Sequence, residues 1–369
     1  MKIDVVQEFM ALASLNSPSR KEAVVAEYLI EKLKGMGLEV QVDDSAPRSG
    51  SDTGNLIVRL PGTAPGPTIL LCAHMDTVGP TGGMKPVLHD GVITSNGETV
   101  LGADDKAGIA IILAVLADLL ADRLPHGPVE VAFTVQEEIG LFGSKGLTSE
   151  LKADFGYVLD GDGEVGTVNH QAPSKVDLDF VVEGKAAHAG MCPEEGINAI
   201  VAAAGAIARL RVGRLDAQTT SNVGTISGGN ARNIVPDRAE VAIEVRSTDR
   251  NRLEREVQAV LDAFHQAAMA SGARVSVKRE VPFEMFTIAE THPAVAGVFK
   301  AARSLGIEPR LRASGGGMDA NVFNSKGLPC VGLGIGLEEP HSPTERIHVS
   351  QLEAGVRLVK AILAESLYR

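Results

Sequence analysis

Residues 68–76 read Thr68-Ile69-Leu70-Leu71-Cys72-Ala73-His74-Met75-Asp76, a strand-like run that ends on an imidazole followed by a carboxylate. The same design recurs along the chain. Strand-like Val129 to Val135 is followed by Glu137 and Glu138, Phe155 to Leu159 by Asp160, and Cys330 to Gly334 by His341 a few residues on. Leu38 to Val42 and Asn55 to Leu60 also read as strands, separated by turn-rich stretches such as Pro61 to Pro67. A long apolar helix is expected over Ala107 to Leu120, and another begins near Ser19 and Glu22, a pair spaced as a capping box, ending at Gly35 and Gly37. Helix alternating with strand predicts an α/β domain around a mostly parallel sheet.

The pattern changes near residue 172. Strand Lys175 to Glu183, helix Glu195 to Leu210, strands near Asn222 to Ser227 and Ala239 to Arg246, helix Asn251 to Ala270 and strand Ala273 to Lys278 follow in the order βαββαβ. That order is the split βαβ of a ferredoxin-like domain. From about residue 285 the chain resumes with helix Ala294 to Ser304, strand Cys330 to Gly334 and a C-terminal helix from Gln351. The expected organisation is a catalytic domain, 1–171 and 285–369, with residues 172–284 inserted. Two domains also suit 369 residues.

Composition narrows the function. Hydrophobic residues at 44% and charged residues at 22% mark a folded globular chain, and a net charge of −12 repels nucleic acid. The longest apolar run, Ala107 to Ala117, is too short to cross a bilayer, which takes about 20 residues. Lys2, Asp4 and Glu8 interrupt the start, so no signal peptide is expected and the reading is cytoplasmic. Cys72, Cys192 and Cys330 are odd in number and widely spaced. They read as buried small hydrophobes in a reducing compartment rather than disulfides or a thiolate zinc site.

In open α/β sheets ligands bind beyond the carboxyl ends of the strands, where His74, Glu138, Asp160 and His341 would converge. Asp104, in the loop Gly102-Ala103-Asp104-Asp105-Lys106-Ala107-Gly108 that enters the long helix, is a fifth candidate. Two imidazoles with several carboxylates suit Zn²⁺, or Co²⁺ and Mn²⁺, better than thiol-preferring ions. A dinuclear site, with one carboxylate bridging and a shared water activated between the ions, follows as the working expectation. Glu137, beside a ligand but free itself, fits the general base. Taken singly, each cluster has an ordinary reading as a solvated pair, a helix cap or a turn; their coincidence at strand ends and a helix-entry loop is what points to metals.

Together these segments resemble the dinuclear metallopeptidases that include glutamate carboxypeptidase, aminoacylase and peptidase T, in order over nearly the whole chain. The segment Gly102 to Gly108 and the wording around Ser314 to Asn321 place the resemblance nearest the peptidase T-like, tripeptide aminopeptidase branch. The resemblance implies that His74 and Asp160 bind one metal and Glu138 and His341 the other, with Asp104 bridging and Asp76 orienting His74. It also implies a cis peptide at Asp104-Asp105. The inserted domain would be a lid that makes a homodimer, with His188 polarising the scissile carbonyl, often across subunits. Asn233 and Arg246 would hold the substrate's far carboxylate. Gly316, in Gly315-Gly316-Gly317-Met318-Asp319, would line the cleft, although Met318 stands where the family suggests Ser or Thr. His89, His126, His170, His265, His292 and His348 read as structural or solvated.

In that family Asp at the position of Asp160 accompanies aminopeptidases and dipeptidases, whereas Glu accompanies carboxypeptidases and deacylases. The expected activity is therefore release of the N-terminal residue from short peptides. The alternatives are an N-acyl amino acid deacylase or carboxypeptidase, and, from another class, a catalytically silent peptide-binding protein. The intact Glu137 beside five ligands weighs against the last.

Overall fold

The computed structural model describes residues 2–367. It divides into two compact units, Met1–Ala172 together with Thr287–Arg369, and Pro173–Phe286. The first is built on a sheet whose strands lie in the order Val40–Val42, Leu56–Leu60, Val129–Thr134, Ile69–His74, Phe155–Gly161, Cys330–Gly334 and Thr167–Ala172. The four from Val129–Thr134 to Cys330–Gly334 run parallel. Leu56–Leu60 and Thr167–Ala172 flank them antiparallel, and Arg310–Ala313 adds to Thr167–Ala172 in parallel. Ile69–His74 and Val129–Thr134 are buried along their whole length, as strands covered on both faces must be. Their register sets His74 against Thr134, so the carboxyl ends of the parallel strands open side by side.

Helix Ala103–Asp122 is apolar nearly all round and correspondingly buried, packed against the sheet, the first helix Val5–Ala13 and the last helix Val349–Glu365. Its N-terminal turn touches the sheet backbone. A Cβ on Gly108 would lie 2.3 Å from the Leu159 carbonyl oxygen and 2.4 Å from Asp105 Oδ1. Gly108→Ala is therefore expected to cost roughly 1–3 kcal/mol of stability through overpacking. An unchanged urea midpoint would show that the helix can move away instead.

The capping box expected at Ser19 and Glu22 is not formed. Helix Ala23–Gly35 starts with Glu22 as N-cap and no side-chain cap. Ser19 Oγ instead donates to Asp76 Oδ2 at 2.6 Å, and the fully buried Glu22 accepts from the Gln136 amide at 3.1 Å and from Ser51. Buried partners outbid the local helix end because an unmet polar group inside costs more than a missing cap.

The second unit is a five-stranded antiparallel sheet in the order Gly213–Arg214, Thr219–Gly228, Arg238–Ser247, Ser174–Glu183 and Arg274–Phe283. Helices Ala199–Ile207 and Arg250–Ser271 cover one face. Val176, Leu178, Phe180 and Val182 alternate into that core, where Phe180 stacks on Phe264 with ring centroids 3.8 Å apart. This is the ferredoxin-like arrangement, strand order included.

All three cysteines are free. Cys72 and Cys330 are buried, and burial pushes both thiols up, but Cys192 is partly exposed, contrary to the expectation of three buried thiols. One thiol is expected to react with an aromatic disulfide reagent in the native protein and three after unfolding; prompt reaction of more than one native thiol would contradict the packing. Among the described residues no helix is long and apolar enough to cross a membrane.

Candidate metal centre

His74, the last residue of strand Ile69–His74, is 2% exposed. Its Nδ1 lies 3.0 Å from the backbone carbonyl of Asp76 and 3.4 Å from Asp76 Oδ1, so the neutral ring carries its proton there and turns Nε2 inward. Nε2 is 3.0 Å from Asp104 Oδ1. The other oxygen, Asp104 Oδ2, is 3.2 Å from His341 Nε2, which is also 3.1 Å from Glu138 Oε2. One carboxylate thus lies between two imidazoles.

Two groups of donor atoms result, His74 with Asp104 and Asp160, and Asp104 with Glu138 and His341. Within each, the atoms lie no more than 4.8 Å from one another, and the two groups share Asp104. The Asp104–Asp105 peptide is cis, as the resemblance implied.

The electrostatics are those of a site short of positive charge. Burial pushes the Glu137, Glu138 and Asp160 carboxyls up, and in Asp160 the Asp104 charge adds to the effect. Burial would also raise Asp104, but the His341 and His74 imidazoles hold it below the usual carboxylate range. His341, drawn by Asp104 and Glu138, is raised to about 10. Glu138 Oε1 is buried with no hydrogen-bond partner among the described residues. Four carboxylates, two imidazoles and an orphaned oxygen fit two divalent cations that favour nitrogen and oxygen donors.

Three carboxylates outside the ligand groups hold the centre in place. Asp76 accepts from the Glu137 amide at 3.0 Å, the Glu138 amide at 3.3 Å and Ser19, so the carboxylate beside His74 also fixes the turn that presents both glutamates. Glu345, 1% exposed, accepts from the amides of Gly102 at 2.9 Å and Asp104 at 3.0 Å. Buried Asp105 accepts from the His74 amide at 3.1 Å. His341 sits at φ 61° in a hairpin closed by Leu337–Glu338 pairing with Arg346–His348, part of a small four-stranded sheet. Glu345→Ala leaves two backbone amides unpaired, so apo protein is expected to bind zinc roughly 10–100-fold more weakly by calorimetry. Wild-type affinity in that variant would show that the loop holds its shape unaided.

The sequence profile of peptidase family M20/M25/M40 matches residues 70–365, a span that contains every donor just described. The chain belongs to peptidase family M20/M25/M40. Its structure superposes on that of aminopeptidase PepT from Bacillus cereus ATCC 10987 with a TM-score of 0.90, at 41% identity over 98% of both chains. A tripeptidase from Staphylococcus aureus subsp. aureus Mu50 matches at TM-score 0.94 and 37% identity, over 98% of this chain and 97% of that one. A dinuclear metal binding M20 peptidase from Bacillus subtilis shares the fold at TM-score 0.75 and 18% identity, over 98% and 97% of the two chains. The resemblance read from the motifs holds, including its peptidase T-like branch, and the chain is a metallopeptidase.

The centre of this M20 peptidase opens into a cavity of about 370 Å³ lined by Asp104, Glu137, Glu138, Asp160, His341, Gly316, Met318, Ser314 and Arg312, among others. Met318 is 2% exposed, and a Cβ on Gly332 would lie 2.7 Å from its sulfur, so Gly332 is what makes room for the larger side chain. In the second unit His188 Nδ1 accepts from the amides of Gly190 and Met191 at 3.2 and 3.1 Å, leaving Nε2 as the donor of the neutral ring. Asn233 is exposed beside it, its carbonyl accepting from the Ala189 amide. Arg246 is elsewhere. Its Nε and Nη2 both bind the Glu244 carboxylate at 3.1 Å. Arg246 pairs with Lys175 in the sheet while Ala239, near the His188 and Asn233 end, pairs with Val182. Seven residues along a strand is roughly 23 Å. Within one chain Arg246 and Asn233 are therefore not brought together on a single carboxylate, as the sequence reading had them.

Proposed function

We propose that this M20 peptidase releases the N-terminal residue of short peptides, tripeptides first. His74 and Asp160 would hold one divalent cation, Glu138 and His341 a second, and Asp104 both. The observation that carries this reading is the Asp104 carboxylate, each oxygen of which faces a different imidazole. The cations, zinc by preference or cobalt or manganese, would supply Lewis acidity and a water acidified into a nucleophile at neutral pH. Glu137 is the base: its carboxyl, raised by burial, takes a proton from the attacking water and returns it to the leaving amine nitrogen. Asp76 keeps Glu137 in reach by holding its backbone amide.

Asp160 and the PepT and tripeptidase relatives favour peptides over N-acyl amino acids. A panel of tripeptides and N-acyl amino acids offered to zinc-loaded protein separates the two. Release of free N-terminal residues is the expected result, and cleavage of the acyl compounds alone would replace this reading with the deacylase.

The ferredoxin-like unit serves as lid and dimer contact. Among the described residues, strand Thr219–Gly228 is paired on its outer side only at Thr220 and Ser221, which leaves an open edge over 222–228. The separation of Arg246 from His188 and Asn233 also suits a site completed by two chains. Sedimentation is expected to give a dimer, and His188→Ala to lower kcat without dissociating it; a fully active monomer would contradict both. Free, buried Cys72 and Cys330 agree with a cytoplasmic location.

A further inference from the structure

Residues 136–138 carry the chain from strand Val129–Thr134 into the two glutamates of the metal centre, and all three of their backbone amides end on buried carboxylates. Asp76 accepts from Glu137 at 3.0 Å and from Glu138 at 3.3 Å. The amide of Gln136 donates elsewhere, to Glu22 Oε1 at 3.1 Å. Glu22 is fully buried and belongs to neither group of donors.

Gln136 sits at φ 50°, in the left-handed region that residues with a side chain seldom adopt. Its own side chain does nothing to hold it there, because both atoms of the side-chain amide are buried without a hydrogen-bond partner among the described residues. The main chain is fixed instead, by Glu22 at the amide and by the Phe142 amide, 3.1 Å from the Gln136 carbonyl. A residue in such a conformation persists only where its surroundings over-determine it.

Glu22 is itself anchored. The Arg20 amide donates to the same Oε1 at 2.9 Å, and Ser51 Oγ donates to Oε2. Arg20 is a second left-handed residue, at φ 76°, and it follows Ser19, whose hydroxyl closes on Asp76. Just before it, Ser17 Oγ donates to the Met75 carbonyl at 2.9 Å, and the fully buried Lys106 Nζ donates to the Leu15 carbonyl. One segment, 15–22, thus supplies Glu22 and steadies Asp76. The turn it supports treats its two glutamates differently. Glu138 has a side-chain anchor, with Oε2 3.1 Å from His341 Nε2, whereas among the described residues no hydrogen bond holds the Glu137 carboxyl. Glu137 is placed by its main chain alone.

We propose that Glu22 is a positioning residue for the general base. By fixing the left-handed backbone at Gln136, it keeps the Glu137 carboxyl in the position from which a proton is taken and returned. The assignment rests on the reading of Glu137 as base and deepens it.

The test compares Glu22→Ala and Glu22→Gln with wild type on tri-alanine, all zinc-loaded. Glu22→Ala is expected to lose roughly 10–100-fold in kcat, with KM within about threefold and two zinc ions still bound, the range for a catalytic group left without its support. Glu22→Gln keeps an oxygen for the two amides and should recover most of kcat. Hydrogen exchange gives a readout that needs neither metal nor substrate. In chelated protein the amides of 136–138 should exchange faster in Glu22→Ala than in wild type, while those of strand Ile69–His74 keep the wild-type rate. Wild-type kcat in Glu22→Ala, unchanged exchange at 136–138, or a Glu22→Gln variant as slow as Glu22→Ala would each overturn the assignment. Loss of a zinc ion in Glu22→Ala would also overturn it, because Glu22 would then act on a ligand rather than on the base. If Glu22→Ala does not fold, Glu22→Asp, a methylene short of the Gln136 amide, takes its place in the same comparisons. Wild-type turnover in Glu137→Gln would instead overturn the reading of Glu137 as base, whatever the exchange at 136–138.

Discussion

Glu137→Gln is expected to lose about two to four orders of magnitude in kcat while binding the same two metal ions per chain as wild type. The substitution keeps size and backbone and removes only the capacity to take a proton. Glu137 belongs to neither donor group, whereas Glu138, one residue on, belongs to one. Its position is set through the main chain, by the amide that Asp76 accepts, and that contact survives the change. Metal analysis beside steady-state kinetics separates the outcomes. Turnover within threefold of wild type would move the base elsewhere, and loss of one ion would make Glu137 a ligand.

Asp104→Ala is expected to abolish activity and the binding of both ions together, whereas Asp160→Ala should weaken one ion far more than the other. The difference follows from Asp104 being the member that the two donor groups share. Two ions bound per chain in the Asp104 variant would refute the bridging role. The metal-free wild type offers a second readout. His341 titrates at about 10 when folded, against about 6.5 unfolded, so the folded state binds its proton more tightly. That contribution is fully present below about pH 6.5 and is lost as pH rises through about 10. Glu137 and Asp160, also raised, push the same way at lower pH. Chelated protein should therefore become less stable on going from pH 6.5 to 9.5, and zinc should remove that dependence by replacing the protons; denaturation midpoints measured with and without chelator decide it.

Much of this centre was legible in the sequence because its donors stand where long, regular strands end. Runs such as 68–73 and 129–135 are apolar enough to mark buried parallel strands, and the structure brings the residues after them together. What was missed acts through the main chain. Glu345 meets the Asp104 loop by accepting from two amides, and no spacing of side-chain types signals such a contact between residues so distant in sequence. The hairpin under His341 is made of strands two and three residues long, too short for any periodicity to show. Ser19 and Glu22 matched a local pattern and were taken by buried partners from other segments instead. Arg246 was chosen for its type, and its pairing with the neighbouring Glu244 carboxylate is not something strand periodicity shows; Arg312, in a strand of four residues, gave no sign of lining the cavity.

The chain leaves its first unit after Ala172 and returns at Thr287, and His341 lies beyond that return. During synthesis, at about 5–20 residues per second, the 181 residues from Asp160 to His341 take roughly 10–35 s to add. Four of the five donors are therefore made well before the fifth, and Glu345 comes later still. A nascent chain carries an incomplete donor set throughout that interval, with the ferredoxin-like unit already made. Peptide-cutting capacity would switch on only after the segment that carries His341 and Glu345 has been made and has joined the earlier donors.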